Sequence, residues 1–197
     1  MTLTRWVHKG NILPMTFELS YLIFGAVLCA FAVAVIADRR ASRKMALLDW
    51  NDLVSGLYRL DMVELSAVAM DYLAPRRGQI DLEPKEIWEF LGGYEGLKRM
   101  RENAEIMLAL AAYAQRWNFE EAVIVTERMR LDAASLRRAI RRVELGMIPA
   151  SLLRHFRLTL PLHAQEASSA YYLMRQRLLA LYETSHVSRY PALAAAL

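Results

Sequence analysis

"YLIFGAVLCAFAVAVIADRRASRK", residues 21–44, runs from an apolar stretch into a basic cluster, and its reading decides how the rest of the chain is organised. Residues 19–37 carry no charge over nineteen positions. At a helical rise of about 1.5 Å per residue they reach roughly 28 Å, close to the ~30 Å hydrocarbon core of a bilayer. Only Ser20 and Tyr21, both at one end, interrupt the apolar character, so no polar stripe is left for solvent. Phe17 and Tyr21 suit an outer interfacial belt, and Arg39, Arg40, Arg43 and Lys44 suit headgroups on the far side. Residues 19–37 are therefore expected to form a transmembrane helix. Two basic residues precede it, Arg5 and Lys9, against the four that follow. That bias places the N-terminus outside and the remainder on the cytoplasmic face of the inner (plasma) membrane.

A signal peptide is the competing reading, because Val35-Ile36-Ala37 supplies small residues just before Asp38. The apolar run exceeds the usual core of about 7–15 residues, and a basic cluster directly after a cleavage point hinders export. Ala26, Ala30 and Ala34, with Gly25 and Cys29 beside them, recur at steps of four and suit close approach of a second span.

The whole chain has 197 residues, 55% of them hydrophobic, which suits one domain of ordinary size plus an appended segment. With 8 Gly and 6 Pro among many Ala, Leu, Arg, Glu and Met, the composition is helical. The single Cys29 excludes an intramolecular disulfide and leaves no thiol pair for a zinc site. The net charge of +4 is mild.

After the basic cluster, residues 45–73 hold no Pro and one Gly and are expected to be helical, with Asp49 as a restart point. Tyr58, Met62, Leu65, Ala69 and Tyr72 form an apolar seam there, and residues 74–84, with two prolines and a glycine, form a loop. Pro84 suits a helix start and Gly92-Gly93 its end. The next helix, to Trp117, carries Leu97, Met100, Ala104, Met107, Ala111 and Ala114 at alternating steps of three and four. Another carries Val125, Met129, Ala133, Leu136, Ile140, Val143 and Met147 and stops near Gly146 and Pro149. A last one opens near Pro161 and carries Ala164, Ala167, Tyr171, Met174, Leu178 and Leu181. Such spacing favours helices crossing at about 20°. The expected fold is all-α: one N-terminal transmembrane helix followed by an antiparallel bundle of four or five helices. Its segments are a short outer tail at 1–18, the span at 19–37, a basic juxtamembrane piece at 38–44, a cytoplasmic domain at 45–186 and a tail at 187–197.

Chemical motifs are sparse. Arg130, Arg137, Arg138, Arg141 and Arg142 lie opposite the apolar stripe of their helix and form a basic sector. It is either a solvated face or a contact for anionic headgroups or an acidic partner. Nucleic acid is disfavoured, since no base-stacking or groove-reading signature accompanies the arginines. Residues 81–105 hold seven acids against four bases and suit pairing with that sector, within one molecule or between copies. The four histidines fall into no metal signature, and there is no nucleophile elbow or phosphate-cradling loop. Neither a catalytic residue nor a cofactor is therefore assigned. The first expectation is a non-catalytic interaction or scaffold module with the lipid bilayer and a protein partner or second copy. The alternative is an enzyme or ligand-binding bundle with a polar pocket between helices, and a dry Leu/Met/Ala core would favour the first.

Overall fold

The computed structural model describes residues 21, 24–26, 28, 29, 45, 48–75, 82–147 and 160–197. The chain divides between Arg43 and Lys44 into two compact units. In the first, residues 21, 24–26, 28 and 29 are helical and exposed. Most of the expected span at 19–37 lies outside the described residues, as do Phe17, Arg39, Arg40, Arg43 and Lys44. Among the described residues no helix is long and apolar enough to cross a membrane.

The second unit is all-helical among its described residues: α1 (Trp50–Ser55), α2 (Met62–Leu73), α3 (Pro84–Phe90), α4 (Gly93–Ala114), α5 (Phe119–Met147), α6 (Leu160–Ser185) and α7 (Tyr190–Ala196). The helix expected over 45–73 is in fact interrupted. Asp49 stands extended before α1 as the N-cap residue, and Gly56 closes that helix after six residues. Asp61 then opens α2, its Oδ1 accepting from the backbone N–H of Val63 at 2.9 Å and of Glu64 at 3.1 Å. A side chain that satisfies two otherwise orphaned donors favours a second helix start over one uninterrupted rod.

At α3, Pro84 occupies the first turn, and Glu83 and Glu86 satisfy each other's backbone donors in a capping box. Gly92 and Gly93 both take positive φ, 65° and 64°, and this left-handed corner turns the chain from α3 into α4. The corner brings the Leu91 carbonyl against Gly96, where a Cβ would lie 1.6 Å from that oxygen, so only glycine fits.

The 3–4 stripes of α4, α5 and α6 become the core, whereas in the expected seam over residues 58–72 only Leu65 and Ala69 are buried and Tyr58 is exposed. All six stripe residues of α4 and all six of α6 are buried, as are Met129, Ala133, Leu136, Ile140 and Val143 of α5. Val125 is half-buried, and Met147 is 38% exposed at the helix end. The four-residue turn from α4 to α5 folds these helices side by side. α6 occupies the centre and packs on α2, α3, α4, α5 and α7, most extensively on α5. Its buried set accordingly runs beyond one stripe to Gln165, Ser168, Ser169, Ala170, Leu179 and Tyr182. Residues 187–197, expected as a tail, contain α7, whose Leu193 is fully buried and whose neighbour Leu197 is nearly so.

Candidate functional site

The interior offers little for chemistry. Among the described residues the buried polar side chains are Asn103, Thr126, Gln165, Ser168 and Ser169, each hydrogen-bonded. Thr126, Ser168 and Ser169 donate their hydroxyl protons to carbonyls of their own helices. Asn103 accepts from the Tyr58 N–H and donates to the Tyr58 carbonyl, both at 2.8 Å, and donates again to the Tyr171 hydroxyl at 3.0 Å. Gln165 donates to Asp71 Oδ2 at 2.9 Å, and the same oxygen accepts from Leu82 N. These contacts hold loops onto the bundle. Burial pushes the Tyr171 phenol up to about 12, against the opposing hydrogen bond from Asn103 and the charge of Arg175. Among the described residues no three of His, Cys, Asp and Glu gather to hold a metal ion.

A groove of about 210 Å³ opens between the α1–α2 loop, α3 and the start of α4. Charged Arg59, Asp61, Glu64, Glu89, Glu95 and Arg99 line it, all exposed. Asp61 is already engaged as the α2 cap and Glu95 pairs with Arg99 at 3.7 Å.

At another face Arg189, in the turn before α7, lays its guanidinium over three rings: Trp50 at 5.0 Å, Tyr113 at 5.5 Å and Trp117 at 4.9 Å. His186 stacks edge-on to Trp117 at 4.6 Å. The aromatic box is thus filled by the protein's own cation, and it clasps α7 to the bundle. Trp50 is buried, whereas Trp117 is 41% exposed. Tyr182, beside this box, donates to the Leu110 carbonyl at 3.0 Å, and burial pushes its phenol up to about 12.

The predicted arginine sector of α5 is only partly one surface. Arg137 turns toward α4, its Nε 3.7 Å from Glu105, and Arg142 turns toward α6, 3.3 Å from Glu166. Arg130 pairs with Glu127 along its own helix and Arg138 donates to Ser135 Oγ at 3.1 Å. Arg141 is exposed. One pair of the anticipated kind, Arg137 with Glu105, therefore joins the acidic segment to the sector inside a single molecule. Of the proposed membrane flanks, Tyr21 is described and 72% exposed.

Between the Glu105 and Glu166 sides of α5 runs a strip that lies outside the core stripe. Ile124, Leu131 and Leu145 are 58%, 71% and 49% exposed. They stand at multiples of seven residues, so about 20° of drift per step keeps them on one line, with Arg138 filling the remaining position. Glu120, Glu127, Arg128, Ala134 and Arg142 are exposed along the same strip. The sequence signal was present as a second apolar series beside the core stripe, but three residues in a field of charges do not stand out from composition. Comparison with protein-family models, curated proteins and solved structures gives no match for this chain.

Proposed function

We propose that the protein is a membrane-tethered, non-catalytic interaction module whose bundle offers the outward strip of α5 to a protein partner at the cytoplasmic face of the inner membrane. The observation that supports the interaction reading is the strip itself. Large apolar side chains stay in water on the longest described helix, while the core behind them is a set of Leu, Met, Ala and Tyr in which the buried Asn103, Thr126, Gln165, Ser168 and Ser169 side chains are hydrogen-bonded within the chain. The tether rests on the uncharged run at 19–37 and the basic residues after it. For the ligand-binding alternative, the charged groove beside Gly92 is one location, with its carboxylates exposed to water rather than converging in a closed site.

The test has two arms. The intact chain is expected to stay with membranes through an alkaline wash, with residues 45–197 digested only when protease reaches the cytoplasmic side. A photoreactive residue placed at Leu131 in cells should give a discrete protein adduct, whereas the same probe at Val63, 80% exposed on α2, should not. A chain recovered in the aqueous fraction would overturn the tether. Identical labelling from both positions would overturn the interaction face.

A further inference from the structure

We propose that the occupant of the α5 strip is a second copy of this chain, bound antiparallel about a two-fold axis at Leu131. This rests on reading the strip as the partner-binding face. An isologous contact pairs each residue with the one equally far on the other side of the axis. The sequence of the strip complements itself under that operation. Leu131 meets Leu131, and Ile124 meets the aliphatic stem of Arg138. Glu120 meets Arg142, a pair that occurs twice by symmetry. Arg128 falls opposite Ala134 and Glu127 opposite Ser135, so no like charges face each other.

Other arrangements lose this match. Parallel pairing sets Glu120 against Glu120 and Arg138 against Arg138. Moving the antiparallel register one heptad in one direction sets Arg128 against Arg141. Moving it the other way carries Arg141 and Arg142 past the end of the partner helix. The charge gradient along α5, with Glu120, Glu121 and Glu127 toward its start and Arg137, Arg138, Arg141 and Arg142 toward its end, selects the antiparallel direction. Pairing draws Arg142 from Glu166, which keeps His163 Nδ1 at 3.4 Å as a neighbour. A flat anionic lipid surface would complement the arginine end of the strip and repel the glutamate end.

The experiment uses the full chain in mild detergent, with Cys29→Ser removing the native thiol. In that background Leu131→Cys, on the two-fold axis, should form a disulfide-linked dimer on mild oxidation, and Val63→Cys should not. Glu120→Arg or Arg142→Glu alone should weaken dimerisation about tenfold or more in sedimentation velocity. The two together should return it to within about threefold of the parent. Both positions are exposed, so unchanged helical circular dichroism checks that the variants fold. A monomer at every concentration, no crosslink in the Leu131→Cys variant, or a double variant as weak as the singles would overturn the proposal. Loss of binding to anionic vesicles in the double variant without rescue of dimerisation would assign the strip to lipid instead. A heterologous adduct from the probe at position 131, with no disulfide-linked dimer of Leu131→Cys, would overturn self-pairing while leaving the interaction reading intact.

Discussion

Asn103 shows how much of this fold is settled by single contacts between distant positions. Its amide satisfies both backbone groups of Tyr58 and touches the Tyr171 hydroxyl, joining the α1–α2 loop, α4 and α6. Asn103→Ala leaves a buried N–H and carbonyl without partners and is expected to cost about 2–4 kcal/mol, read as a lower urea midpoint. Nothing in the local sequence announces this, since an asparagine on a helix between Glu102 and Ala104 reads as an ordinary polar position. Its partners are 45 and 68 residues away. Gly96 is similar: its role against the Leu91 carbonyl follows from the Gly92-Gly93 corner, whose existence was legible but whose path was not.

At the scale of elements, the apolar stripes of α4, α5 and α6 were legible because burial on a helix leaves a 3–4 spacing that survives in sequence, and Leu97 to Ala114 and Ala164 to Leu181 are buried as spaced. The break between α1 and α2 was not, because the hydrophobic seam continues through it while Asp61 and Gly56 decide the backbone. α7 was missed for a different reason. Seven small and apolar residues carry no periodicity, and the helix is held by partners elsewhere: Leu193 in the core, Arg189 in its aromatic box, and the Leu197 carbonyl accepting from Arg175 Nε at 3.3 Å. Removing residues 190–197 therefore exposes the surface that Leu193 and Leu197 cover, about 3 kcal/mol. A drop of about 6–12 °C in Tm, followed by circular dichroism, is expected, together with a change in Trp fluorescence as Arg189 leaves Trp50 and Trp117. The exposed strip of α5 belongs to this scale too, and its legibility was limited because core and partner faces share one helix.

For the molecule as a whole, Tyr171 and Tyr182 set an alkaline limit. Both phenols are pushed up to about 12 chiefly by burial, above the value of 10 for an unfolded tyrosine. Between pH 10 and 12 the unfolded chain has released these protons while the folded one still holds them. The stabilisation is thus full below pH 10 and lost as pH rises through 12. Each two-unit shift corresponds to about 3 kcal/mol at most, and Tyr171→Phe should flatten the alkaline loss in urea titrations, while losing the Asn103 contact at every pH. The central place of α6 governs assembly as well. Gln165 on α6 meets Asp71 on α2 across 94 residues of chain, and α2 to α5 all pack against this last long helix. A growing polypeptide that has emerged only as far as α5 lacks the surface on which its earlier helices settle, so the bundle closes after translation has passed residue 185 rather than stepwise. Ribosome-held chains that have emerged only as far as residue 150 should consequently be cut by protease throughout 50–147, and released chains should resist it.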